Sequence, residues 1–88
     1  MMARLDLGAA AEMAPATSLE ETLFQLGIVS STGRDGSPDL IAAHKWFNLA
    51  ALRGNSAAAR YRQEVAQEMS ANEIAEAQRA AREWIRAH

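Results

Sequence analysis

The stretch WFNLAALRGN, residues 46–55, decides the fold that we predict for this chain. It places two large aromatic side chains, Trp46 and Phe47, just before a pair of alanines and a glycine. The whole chain of 88 residues has only five Phe, Trp and Tyr side chains. Large rings beside small residues suit a close contact between two helices, because the rings fill the space and the small residues let the backbones approach. The stretch therefore indicates helix packing and not a ligand platform.

The helix that contains this stretch has recognisable start and stop signals. Ser37 is expected to cap it, Pro38 to occupy the first helical position, and Asp39 to face the positive end of the helix dipole. Gly54 is expected to end the helix in a left-handed conformation. The inward face is predicted to consist of small and aromatic residues, namely Leu40, Ala43, Phe47, Ala50 and Ala51.

A first helix is predicted before it, from about residue 19 to residue 31. Ser18 and Glu21 have the spacing of a capping box. Leu19, Leu23 and Leu26 then recur at helical spacing, with Thr22 on the same face. The following TGRDGSP is a loop in which Gly33 and Gly36 are expected to supply positive φ angles.

Two further helices follow the stretch. Asn55 is expected to cap a third helix from Ser56 to about Glu68, with Ala58, Tyr61 and Val65 inward. A second capping box, Ser70 to Glu73, opens a fourth helix. Its inward positions are predicted to be Ile74, Ala77, Ala81 and either Trp84 or Ile85. Short connections favour antiparallel neighbours, so the fold class is all-α, a four-helix domain.

The composition limits the classes of function. Net charge is −2, and the seven basic residues of positions 38–88 are balanced by six acidic ones, so no basic patch for nucleic acid is expected. There is no cysteine, hence no disulfide framework and no thiolate metal site. The N-terminus is a poor signal peptide and no stretch is long enough to span a bilayer, so a soluble, cytoplasmic protein is expected.

The pattern from residue 22 to residue 58 resembles one copy of the Sel-one-like repeat. This is an α/α repeat of roughly 36 residues, related in shape to the tetratricopeptide repeats. The residues that carry the resemblance are Leu26, Gly27, Gly33, Gly36, Asp39, Ala43, Trp46, Phe47, Ala50, Ala51, Gly54 and Ala58. Gly27 lies within a helix, where glycine costs about 1 kcal/mol relative to alanine. We expect Trp46 or Phe47 to pack against it. Ser30 departs from the family, which commonly has tyrosine at that position.

The resemblance implies a layout of three parts. Residues 1–17 form an N-terminal arm, either flexible or docked as a short helix, and residues 18–57 form the α/α repeat. Residues 58–88 lack the motif of a second repeat. They resemble the helix pair that caps the last repeat in many bacterial members, with an apolar stripe inward and a Glu/Arg face outward.

Candidates for chemistry are few. His44 has no acidic residue three or four positions away and is interpreted as a surface or rim histidine, while His88 is terminal. A carboxylate cluster for a metal is conceivable among Glu64, Glu68, Glu73 and Glu76, but capping and i,i+4 pairing with arginine explain these side chains better. The sequence therefore predicts no enzyme, no metal and no cofactor. A small enzyme or regulator with a polar pocket around His44 is the outlying alternative.

The resemblance implies a non-catalytic module for protein–protein interaction, an adaptor or scaffold. Family members line a concave surface with their first helices. In this chain, the positions on that side are Glu21, Gln25, Ile28, Thr32, Tyr61, Glu64 and Glu68. The alternative is a small structural domain that associates with itself, as a homodimer, or caps a larger repeat protein, since about three repeats are usually needed to bury a continuous core. The partner is expected to be a protein, with no nucleic acid and no membrane.

Overall fold

The computed structural model describes residues 18–33 and 36–88, and the predicted arm of residues 1–17 lies outside them. The described residues form four α-helices and no strand: α1 is Leu19–Thr32, α2 is Leu40–Leu52, α3 is Ser56–Ala66 and α4 is Ala71–Ala87. The prediction of an all-α four-helix domain is confirmed.

Side-chain caps begin the four helices close to the predicted positions. Ser18 accepts a hydrogen bond from the backbone N–H of Glu21, and Asn55 accepts one from Ala58. The complete capping box forms at α4. The Ser70 hydroxyl accepts a hydrogen bond from the backbone N–H of Glu73, and the Glu73 carboxylate accepts one from the backbone N–H of Ser70. Such caps satisfy N–H groups that have no partner within the helix.

The start of α2 differs from the prediction. Asp39, and not Ser37, is the N-cap residue, and its carboxylate accepts a hydrogen bond from the backbone N–H of Ala42 at 3.0 Å. Pro38 is therefore outside the helix. The reason is tertiary: the backbone N–H of Asp39 donates to the carbonyl of Ser30 at 2.8 Å, which holds Asp39 in an extended conformation beside the end of α1.

Gly33, Gly36 and Gly54 adopt the positive φ angles predicted for them, and Gly54 follows the end of α2 as predicted. Gly33 has φ +73° at the end of α1, and Gly36, in the same loop, has φ +91°. Gly54 has φ +100° and donates to the carbonyl of Ala51, while Asn55 donates to that of Ala50. This pair of bonds after Leu52 is a Schellman motif, which satisfies two of the last carbonyls of α2.

The ends of α1 and α3 differ by one or two residues from the prediction. α1 includes Thr32, and α3 ends at Ala66 and not at Glu68. After Ala66 the N–H groups of Glu68 and Met69 donate three residues back, which tightens the chain into a turn and closes the α-helix early.

α2 is the central helix, against which α1, α3 and α4 each make their principal contacts. Phe47 is fully buried, and its ring lies 5.8 Å from that of Phe24 on α1 and 5.3 Å from that of Tyr61 on α3. On the α4 side, Trp46 meets Trp84 edge to face at 6.3 Å. The sequence predicts that α3 and α4 form a capping pair. In the structure α4 packs mainly on α2, because Trp84 contacts Trp46 and the small residues of α4 allow a close approach.

The buried side chains follow the predicted faces of α3 and α4. On α2 the predicted face is joined by Leu49 and His44, which were not predicted to be inward, because three helices pack on α2. The core consists of Leu23, Ala43, Phe47, Leu49, Ala50, Ala58, Val65 and Ala81, with Ala77 also buried. At the end of α4, Trp84 packs against this core while Ile85 is 50% exposed, which decides between the two predicted positions.

The inward face of α1 is rotated from the predicted one. Leu23 is buried, but Leu19 is 44% exposed and Leu26 is 38% exposed. The buried position beside Leu23 is Gly27, with Phe24 half-buried next to it. The rotation occurs because the ring of Phe47 packs on Gly27, and Phe24 must reach the rings of α2 and α3.

Candidate functional site

The surface where α1 faces α3 contains most of the partner-binding positions expected from the sequence. The two helices pack on α2 and meet each other through rings: Phe24 lies edge to face with Tyr61 at 5.4 Å. Phe24, Ile28 and Tyr61 are all half-buried and packed against the core. They form the apolar floor of what we call the α1–α3 groove.

The α1 side of the groove carries polar side chains that the fold leaves exposed. Glu21 and Gln25 are exposed and lie one turn apart on the flank that includes Ile28. Thr32 is also exposed, but its hydroxyl donates to the carbonyls of Ile28 and Val29, which keeps it on its own helix. No Lys or Arg occurs in α1.

The α3 side is acidic as well. Glu64 follows Tyr61 by three positions and lies on the same flank of α3, whereas Glu68 lies in the turn that follows the helix. Both glutamates are exposed. One basic group is near: the Arg60 guanidinium lies 5.8 Å from the centre of the Tyr61 ring. Two carboxylates, from Glu21 and Glu64, thus lie beside the groove and a third, from Glu68, lies just past the end of α3, together with the guanidinium of Arg60.

One end of the groove is closed by a polar bridge. The amide of Asn55, which caps α3, donates to the carboxylate of Glu20 in the first turn of α1. The same asparagine accepts the backbone bond from Ala58 at 2.7 Å. Asn55 therefore fixes the start of α3 to the start of α1, a role in addition to the capping that its sequence position predicts.

At the opposite end of the domain is a cleft of about 530 Å³, which adjoins the start of α2. Its lining is apolar at Pro38, Leu40 and Ile41 and acidic at Asp39, Glu68 and Glu73, with Ser37 completing it. Glu68 belongs both to the cleft and to the predicted partner face. The sequence did not predict this cleft, because the helical pattern assigns Leu40 to the core and Pro38 to the start of a helix.

His44 is buried, which corrects the prediction of a surface or rim histidine. It is 3% exposed, and its Nδ1 atom makes no hydrogen bond. His44 follows Ala43 and precedes Phe47 by three positions, so the inward spacing of α2 was the signal that could have placed it in the core. It does not line the cleft described above.

The surroundings of His44 favour the neutral form of its imidazole. Burial, first, and the positive charge of Arg62, second, lower the pKa of His44 below its usual 6.5. Arg62 reaches from α3 to α2, where it donates to the side-chain oxygen of Asn48 at 2.6 Å. The described residues thus place a positive charge near His44 and give its Nδ1 atom no hydrogen-bond partner.

The second aromatic cluster lies on the other side of α2. The Trp46 ring contacts Trp84 and has the ammonium of Lys45 3.9 Å from its centre. His88 stacks on Trp84 at 4.3 Å and 12°. Both tryptophans are half-buried and pack against the core, in agreement with their predicted structural role.

Several large apolar side chains remain exposed outside the groove. Leu19 and Leu26 lie seven residues apart on the flank of α1 that faces away from α3. Leu52 at the end of α2 is 65% exposed and Ile85 on α4 is 50% exposed. Leu26 was expected to be a packing residue of the repeat motif, but it is only partly buried by the described residues.

The described residues limit the chemistry of the surface. They contain no group of three or more His, Cys, Asp or Glu side chains that could hold a metal ion. Among the described helices, none has the length and hydropathy needed to cross a membrane. Comparison with family models, with curated proteins and with solved structures gives no match for this chain.

Proposed function

We propose that this chain is a non-catalytic protein–protein interaction module of the Sel-one-like repeat type, which takes a partner segment in the α1–α3 groove. The observation that carries the proposal is the set of half-buried apolar side chains where α1 meets α3. The groove floor of Phe24, Ile28 and Tyr61 is held in place by the buried ring of Phe47, yet stays partly open to solvent. Partly exposed aromatic side chains on a rigid support are typical of binding surfaces.

The packing of the repeat motif supports the proposal. A Cβ atom at Gly27 would lie 2.5 Å from two atoms of the Phe47 ring, so glycine is needed at this position of the motif. Gly33 and Gly54 adopt the positive φ angles that the motif needs at the ends of its two helices. These features agree with an α/α repeat, whose first helices line one surface.

Site-specific photocrosslinking tests the proposal. A photoreactive residue is introduced at Gln25 or Glu64 on the groove rims, and in matched control variants at Glu76 or Glu83, which are exposed on α4. The chain is returned to the organism that encodes it, and crosslinked proteins are identified by mass spectrometry. The proposal expects the same partner at both groove positions and its absence at both control positions.

A double variant, Gln25→Ala with Tyr61→Ala, completes the test. It should remove the crosslinked partner while the circular dichroism spectrum stays helical. Crosslinks that are equally strong from α4, or a partner that persists when the floor is removed from a folded chain, would contradict the assignment of the groove.

A second function, self-association, is favoured by a separate observation. Leu19 and Leu26 present an apolar stripe on the flank of α1 opposite to the groove, and each is more than one-third exposed. A second copy of the chain could cover this stripe, because association buries apolar side chains that folding left exposed. Light scattering after size exclusion separates the two functions: a strict monomer at high concentration excludes self-association, and a dimer that Leu26→Glu dissociates supports it.

A further inference from the structure

The charges around the α1–α3 groove indicate what kind of segment it takes. Glu21 on α1 and Glu64 on α3 are exposed beside it, and Glu68 follows in the turn after α3. The guanidinium of Arg60 lies over the Tyr61 ring. α1 contributes no basic residue at all. The groove is therefore apolar along its floor, and the carboxylates around it outnumber the guanidinium of Arg60.

The acidic character continues beyond the groove. Glu68 also lines the cleft of about 530 Å³, where Asp39 and Glu73 add two more carboxylates and no Lys or Arg is among the described lining residues. Asp39 and Glu73 each accept a backbone bond as helix caps, which keeps them in place. The floor of the cleft is apolar at Pro38, Leu40 and Ile41. Carboxylates therefore outnumber the basic groups named here, both beside the groove and at the cleft.

We propose that the partner segment is a basic peptide stretch with apolar side chains in its sequence, and this proposal rests on the function proposed above. Its apolar side chains contact Phe24, Ile28 and Tyr61, and its Lys or Arg side chains face Glu21 and Glu64 on the rims. A further cationic side chain reaches Glu68 at the cleft. Complementary charge at the rim of an interface selects partners and speeds their association, and like charge excludes acidic segments.

Peptide selection against the full chain tests the proposal. A display library of random twelve-residue peptides is selected on the immobilised protein, and the charge of the enriched sequences is compared with that of the starting library. Binding of synthetic versions is then mapped by ¹⁵N chemical-shift changes of the full chain. We expect enrichment of Lys and Arg together with apolar residues, and shifts concentrated at Phe24, Ile28 and Tyr61.

A pair of variants with equal charge change isolates the rim. Glu64→Gln with Glu68→Gln removes two groove carboxylates, and Glu76→Gln with Glu83→Gln removes two exposed carboxylates from α4 as a control. The groove variant should weaken peptide binding on the order of tenfold at low salt, and 0.5 M salt should remove most of the difference. The control variant should bind within about twofold of the natural chain.

The outcomes separate the two proposals. Neutral or acidic peptides that map to the groove overturn the inference of a basic partner and leave the interaction function standing. Peptides that shift only residues outside the groove, or a library that yields no binder, overturn the interaction function in this groove as well. An equal loss of affinity in both Gln variants would show that overall charge, and not the rim, attracts the peptide.

Discussion

Gly27→Ala tests the packing argument on which the fold depends. In the middle of an exposed helix this change would stabilise the protein by about 1 kcal/mol, because alanine loses less backbone entropy than glycine on folding. Here the added Cβ would lie 2.5 Å from Cδ1 and Cε1 of Phe47, about 1 Å inside the usual separation of carbon atoms. The two effects have opposite signs, so the sign of the measured change decides which one governs the position.

The ring of Phe47 has little room to move away. It is fully buried, with Phe24 5.8 Å and Tyr61 5.3 Å from its centre. Overpacking a core typically costs 1–3 kcal/mol, and we expect about 3 kcal/mol here because the clashing atoms belong to a confined ring. After the gain in helix propensity, the net expectation is a destabilisation of about 2 kcal/mol.

The measurement is urea unfolding followed by far-ultraviolet circular dichroism, with the m-value checked for a two-state transition. The control is a comparison of Gln25→Gly with Gln25→Ala at an exposed position of the same helix, where alanine should be better by about 1 kcal/mol. In a Phe47→Leu background, Gly27→Ala should cost less than it does in the natural chain, because leucine leaves space for the new methyl group. A neutral or stabilising Gly27→Ala would refute the close contact between α1 and Phe47.

Three further predictions concern single positions. His44→Leu should flatten the dependence of stability on pH between 7.5 and 5.5. Burial and Arg62 lower the pKa of the folded histidine, so the natural chain loses stability as the pH falls below the unfolded pKa of 6.5. Thermal melts should show that the control variant His88→Leu keeps this loss of stability. Gly33→Ala should lower the free energy of unfolding clearly more than Gly54→Ala does, as measured by urea unfolding. Both changes put alanine in a left-handed conformation, which costs about 1–2 kcal/mol, but only at position 33 would the new Cβ lie within 3 Å of backbone atoms. Equal losses of stability would contradict this prediction. Ser70→Ala should destabilise the domain by about 1 kcal/mol through loss of the α4 cap, and amide exchange should quicken in the first turn of α4; an unchanged first turn would mean that the cap contributes nothing.

Local sequence signals were sufficient for the helices. Capping residues such as Ser18, Asn55 and Ser70 and terminating glycines such as Gly33 and Gly54 act within a few residues of themselves, so the sequence alone determined four helices with ends correct to within two residues. The face of α2 was also determined, since its small residues and Phe47 recur with helical spacing. The same pattern predicted a ring over Gly27, although it did not distinguish Trp46 from Phe47.

Only the tertiary structure decided how these helices meet. Burial of Leu49, exposure of Leu26 and the extended conformation of Asp39 each depend on a neighbouring helix, and periodicity within one helix carries no information about that neighbour. The groove arises in the same way: the contact between Phe24 and Tyr61 joins residues far apart in sequence, and it leaves the glutamates of two helices on facing rims. The sequence listed most of the rim residues, but their common apolar floor and shared charge exist only because α1 and α3 both pack on Phe47.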